Sequence, residues 1–140
     1  VLSEFHVLTD HWPEIFNGLA LTLYTWLTSV VIGAFLGLAI ALLRQEAPRP
    51  IALVIDGYVG LFRGTPFLIQ LFLLYYGGPF VGLSLPPVVA GIVGLSLYAS
   101  AYFSEIFRSG FQSVPLGQTE AAAICGLTKT QTLLRVTLPQ

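Results

Sequence analysis

Charge is scarce in these 140 residues: Asp, Glu, Lys and Arg make up 9% of the chain, and the formal net charge is −1. Soluble domains carry roughly a quarter charged residues, so an ordinary water-exposed domain is excluded. No cluster of Lys and Arg is present to neutralise phosphates, which excludes nucleic acid as a partner. Cysteine is reduced to Cys125, so no internal disulfide forms and a reduced packing residue is expected there. The only histidines, His6 and His11, stand five apart with no Cys or carboxylate at ligand spacing, which argues against zinc and leaves no credible base. Gly126-Leu127-Thr128-Lys129-Thr130 superficially suggests a phosphate loop. The Gly required before Lys is Thr128, however, and the upstream Gly falls on Ala123, so the chain is expected to bind no ATP and no other cofactor. Catalytic chemistry is not visible.

Apolar sequence is what the chain has in abundance. Hydrophobic residues make up 55% and the mean hydropathy is +0.81, which places the chain in a membrane. From Ile15 to Leu43 no residue is charged, and about 20 apolar residues suffice to cross a hydrocarbon core of about 30 Å as a helix. A second uncharged stretch, Gly64 to Ser104, is broken by Gly77-Gly78-Pro79 and Pro86-Pro87, which read as a turn and a helix start. The expected architecture is therefore all-α and membrane-integral, with spans at about 15–43, 51–76 and 87–107 inside a transmembrane region 15–112. Residues 1–14 form an external amino-terminal segment and residues 113–140 a cytoplasmic loop. Arg44, Arg49, Arg63, Arg108, Lys129 and Arg135 all fall on one side of these spans, so the positive-inside rule puts the amino terminus outside.

The polar residues within spans are few enough to weigh singly. Asp56 and Arg63, seven apart, share a face of one helix in this scheme. Arg63-Gly64-Thr65-Pro66 interrupts the second span. It reads either as a kinked joint, where Gly64 permits close packing and a neighbour satisfies the carbonyl that Pro66 frees, or as a snorkelling arginine beside a tolerated proline. Ser96, Ser100 and Ser104 recur every fourth residue and line a stripe that faces protein, or bond back to their own helix. Gln70 has few polar neighbours and needs either a ligand or a bond across to the third-span serines. Gln70, Ser96 and Ser100 are the candidate pathway residues. Glu105 and Arg108 can pair on one face, and Gly33 and Gly37 form a Gly-x-x-x-Gly patch for close helix approach.

The last quarter reads as two short helices. Ser113 or Val114 can cap a helix beginning near Pro115, Gly126 can end it in the left-handed conformation, and Thr128 with Gln131 makes a capping box for a second helix through Leu134. Across them runs a spaced string: Glu120-Ala121-Ala122, three residues, Gly126, nine residues, Val136, one residue, Leu138-Pro139.

That string resembles the EAA loop of the membrane subunits of bacterial ABC importers, with Val136 where the family usually has Ile. Arg63-Gly64-Thr65-Pro66, Ala101-Tyr102, Glu105, Arg108, Gly110, Val114-Pro115 and Gly117-Gln118 resemble the polar amino acid branch, in which Gly is commoner at the place of Ser109. The resemblance implies a MetI-like permease subunit in the bacterial inner membrane, in contact with lipid. It implies a second permease chain, a partner ATPase that carries ATP and Mg, and an extracytoplasmic solute-binding protein delivering an amino acid. Glu120, Ala121, Ala122, Gly126, Leu138 and Pro139 would be the ATPase-coupling residues. Permeases of this branch continue through two further spans, so the chain is expected to be truncated after the loop. A non-transporting membrane scaffold is the alternative. An ion-coupled secondary carrier fits less well, since ionisable groups deep in the spans and inverted repeats are missing.

Overall fold

The computed structural model describes residues 11–140. Helix α1, Trp12–Glu46, and helix α4, Pro87–Ser113, are each long and apolar enough to cross a membrane. Between them lie α2, Arg49–Gly64, and α3, Phe67–Phe72, which runs on through a π turn at Leu73–Gly77 and a 3-10 turn at Gly78–Val81. Two short helices follow α4: α5, Leu116–Ile124, and α6, Lys129–Thr132, extended by a π turn at Leu133–Thr137. The described residues contain no strand.

Helices α1 and α4 extend past the stretches expected as the first and third spans. At 35 residues α1 measures about 52 Å, well beyond an apolar core of about 30 Å. Helix α4 continues past Phe107 to Ser113, with Glu105 and Arg108 paired along its face.

Helices α1 and α4 run parallel along a seam of small residues. Ser29, Gly33, Gly37 and Ala41, every fourth residue of α1, are buried against Ala90, Ser96, Ser100, Ala101 and Ser104 of α4. The backbones touch: a Cβ placed on Gly33 would lie 2.6 Å from Ala99 Cβ, and one on Gly37 would lie 2.5 Å from Phe103 Cβ. Small residues permit this approach, which dispersion contacts reward within a membrane where no hydrophobic force draws helices together. Ser29 Oγ spans the seam, donating to Thr25 O at 2.7 Å and to Ile92 O at 3.3 Å.

The segment expected as the second span, 51–76, forms as two helices with a break at the expected joint. Helices α2 and α3 meet at an angle of 107° across the break at Thr65-Pro66. Thr65 is extended, at φ −120° and ψ 145°, as the residue before a proline prefers. Helix α2 consequently lies across the C-terminal halves of α1 and α4, while α3 runs back along α4, with Leu71 and Phe67 against Gly94. Asp56 and Arg63 both lie in α2, before the bend, and among the described residues each meets a charged partner from another helix, Arg44 and Glu105. Gly64 has nothing within 4 Å of where a Cβ would stand, so it packs against no neighbour there.

Candidate functional site

Three groups of polar residues stand out, and the first is the terminal loop. Helix α5 is capped at Pro115 without a side-chain bond, because Ser113 still belongs to α4 and its hydroxyl donates to Gly110 O at 2.7 Å. Neither Ser113 nor Val114 therefore caps α5. At its far end Leu127 N–H donates to Ala122 O and Gly126 N–H to Ala123 O, both at 3.0 Å, around a left-handed Gly126 with φ +76°. This is the Schellman arrangement, which satisfies the last carbonyls of a helix and favours glycine at the turn. Thr128 then opens α6: its hydroxyl accepts from Gln131 N–H at 3.3 Å while Gln131 Oε1 accepts from Thr128 N–H at 2.9 Å. The end of the chain folds back, with Gln140 Nε2 donating to Gln118 Oε1 and to Val136 O.

Every turn of this loop is closed by its own residues, so it is held as a bent helix pair. Its outer side is bare. Ala122 is buried, whereas Glu120, Ala121, Gly126, Leu138 and Pro139 are exposed, and Leu116 and Ile124 show 76% and 88% of their surface. Cys125, expected as a packing residue, is exposed as well. A cavity of about 520 Å³ separates the pair from the end of α1, bounded by Leu42, Gln45, Phe111, Thr119, Lys129 and Leu133.

The second group is an ionic joint centred on Glu105. Its carboxylate accepts from Arg44 at 2.6 Å and from Arg108 at 2.8 and 3.0 Å, while Arg44 also holds Asp56 at 2.5 Å and Arg108 donates to Gln112 at 2.8 Å. Arg63 stands farther off, at 3.7 Å. Spacing along one helix reveals only the Glu105–Arg108 pair. The link from Arg44 to both carboxylates joins three helices and had no signal in the sequence beyond the presence of the charges.

The third group is the break itself. Pro66 has no N–H for Phe62 O, and the side chain of Gln70 takes that place: Nε2 lies 3.0 Å from Phe62 O, 3.0 Å from Thr65 O and 2.6 Å from Thr65 Oγ1. Thr65 Oγ1 in turn donates to Leu61 O at 2.7 Å. Gln70 therefore staples the bend instead of reaching the third-span serines. Ser100 is fully buried, accepting or donating at 2.6 Å with Tyr58 OH and donating to Leu97 O at 2.8 Å. Ser96 is 3% exposed in the α1–α4 seam. Ser96 Oγ and Gln70 Oε1 are buried without a hydrogen-bond partner among the described residues. Along the exposed edge of α4 a different row appears: the tilted rings of Phe67, Tyr98 and Tyr102 follow one another with centroids 5.3 and 4.9 Å apart, and the Arg63 guanidinium lies 5.4 Å over the Tyr102 ring.

Among the described residues no group of three His, Cys, Asp or Glu is placed to hold a metal. His6 lies outside the described residues. His11 does have a carboxylate partner, Glu14 at 3.1 Å, contrary to expectation, but the two are exposed and alone.

Residues 29–140 match the profile of the family described as binding-protein-dependent transport system inner membrane component. The chain is 40% identical to the L-cystine transport system permease protein of Bacillus subtilis, over 96% of its own length and 57% of that protein's. It is 36% identical to the arginine transport system permease protein of the same organism, over 98% and 63%. It thus spans about three fifths of the curated relatives it matches. Among solved structures, an amino acid ABC transporter crystallised with histidines aligns at a TM-score of 0.86 and 39% identity, covering 97% of this chain and 64% of that one. The methionine ABC transporter in an inward-facing form aligns at 0.64 and 26%, covering 90% and 60%.

Proposed function

Because the chain belongs to the family of binding-protein-dependent transport system inner membrane components, we propose that it is the permease part of an ATP-driven importer for polar amino acids or related small solutes. The observation that carries this reading is the terminal loop. A helix pair closed by its own Schellman turn and capping box, yet apolar and bare on its outer side, is built to seat in another protein and to move as one piece.

Seating would occur in a partner ATPase, which binds ATP with Mg, and Glu120, Ala121, Ala122, Gly126, Leu138 and Pro139 are the residues assigned to it. Closure of that partner would push the loop, and the push reaches α4 through the two-residue link Val114-Pro115. The Glu105 joint ties α4 to α1 and α2, so a displacement of one helix is shared by three. Packed elements switch between discrete arrangements when pushed, and this supports alternating access to a solute delivered from outside by a binding protein. In this reading a second permease chain completes the pathway, the amino terminus is outside and the loop is cytoplasmic.

The experiment is ATP-dependent uptake into vesicles holding the full complex. Glu120→Arg places a cation on the exposed docking side, and a bulky residue at Gly126 forbids the left-handed turn. Both variants are expected to insert normally and to lose uptake. Unchanged uptake in both would remove the coupling assignment.

A further inference from the structure

The exposed row on α4 has a property that the ionic joint and the loop do not explain. Three guanidinium groups, Arg44, Arg63 and Arg108, face two carboxylates, Asp56 and Glu105, so one positive charge is in excess. That excess resides on Arg63. Arg44 and Arg108 take up the Glu105 oxygens at 2.6 to 3.0 Å, whereas Arg63 reaches Glu105 only at 3.7 Å and donates no hydrogen bond among the described residues. Its side chain is 44% exposed. The guanidinium carbon nevertheless lies 5.4 Å over the centre of the Tyr102 ring, a cation–π contact that orders the group in advance of any ligand.

The tyrosines add donors of the same kind. Tyr98 OH donates to Tyr102 OH at 3.0 Å, which leaves the Tyr102 proton without an acceptor among the described residues. A cation with five N–H groups and a phenol proton thus share one edge, both in want of an acceptor. Hydrocarbon cannot supply it, and a charged group in that setting marks a protein-covered or water-filled face. A snorkelling arginine would extend away from the ring toward the membrane surface; this one lies over it.

We propose that Arg63, with the Tyr102 hydroxyl and Tyr98 behind it, is a binding site for the carboxylate of the transported solute. The inference rests on the importer reading above. A planar carboxylate fits the guanidinium fork with two parallel hydrogen bonds, and the phenol can donate to one of the same oxygens. Contact with the carboxylate alone is indifferent to the side chain of the solute, so the site holds amino acids as a class.

The test uses the full complex, in sealed proteoliposomes with its solute-binding protein for uptake and in lipid nanodiscs without that protein for direct binding. Tritiated L-arginine, L-glutamine, L-histidine and L-cystine are first tried in ATP-dependent uptake, and direct binding is then measured for whichever is transported and for its carboxamide. Arg63→Gln is expected to weaken binding of the acid about 10- to 100-fold, and the amide should bind the wild type weakly and be indifferent to the substitution. Arg63→Lys should restore part of the affinity, and Tyr102→Phe should lose several-fold. Four results overturn the proposal: an unchanged affinity in Arg63→Gln, a fall of acid and amide alike, uptake by the wild type without binding at the permease, or loss of the assembled dimer in Arg63→Gln. An effect that vanishes when anionic lipid is omitted assigns Arg63 to a lipid phosphate instead. Absence of uptake of all four solutes by the wild type is distinct, since it removes the amino acid importer reading itself and the proposal with it.

Discussion

Replacing Gly37 by alanine puts a methyl group into the tightest point of the helix seam. The new Cβ would lie 2.5 Å from Phe103 Cβ, 2.9 Å from Ser100 O and 2.9 Å from Ser104 N. Carbon contacts settle at about 3.5–4.0 Å, so α1 and α4 must part by roughly 1 Å there. Two of the three obstacles are backbone atoms and cannot rotate away. Overpacking of this kind costs about 1–3 kcal/mol. Alanine is also a better helix former than glycine by about 1 kcal/mol, which partly offsets the clash and would blur a comparison with the wild type. Gly60→Ala removes that ambiguity, because Gly60 is likewise inside a helix but has nothing within 4 Å of its Cβ position. The propensity gain is common to both variants, and the difference between them isolates the clash. Unfolding by SDS titration in mixed micelles, followed by tryptophan fluorescence, should place Gly37→Ala about 1–3 kcal/mol below Gly60→Ala. Equal stability of the two, or a more stable Gly37→Ala, would refute the close approach of α1 and α4.

Gln70→Leu keeps the volume of the side chain but leaves Phe62 O and Thr65 O without their donor. The same titration should show a loss of about 1–3 kcal/mol, with no loss if the bend is held by packing alone. Glu105→Gln discharges the hub of the ionic joint while Arg44 keeps Asp56. Its cost should shrink when Arg108 is already glutamine, and a double-mutant cycle with additive losses would show that the two side chains do not interact. The outward docking side predicts that a thiol reagent labels Cys125 in the isolated protein and that the bound ATPase protects it; equal labelling in both would move the docking surface elsewhere.

Much of this protein is written locally. The apolar run of α1, the small residues at every fourth position, the left-handed Gly126 and the Thr128–Gln131 box depend on residues within about one or two turns of each other, where spacing and side-chain chemistry are enough to decide. The Pro66 break was legible too, since a proline denies one hydrogen bond wherever it stands. Its angle was not. Whether the chain bends slightly or by 107° depends on what catches the freed carbonyls and on which helices receive α2, and neither is a property of the four residues at the break. The same limit explains the pathway candidates. Ser96 and Ser100 were recognisable as polar residues in an apolar helix, but only the arrival of Gly33 and Tyr58 from other helices decides what each of them meets. Arg44 and Asp56 were visible as charges, and their joining to Glu105 required the hairpin of α1 and α2 to be laid across α4. Sequence by itself determined the helices, the two turns of the terminal loop and the family. The tertiary structure decided which polar groups hold helices together and which, such as the Arg63 guanidinium, Gln70 Oε1 and Ser96 Oγ, have no hydrogen-bond partner among the described residues, because that division is made by contacts between residues far apart in the chain.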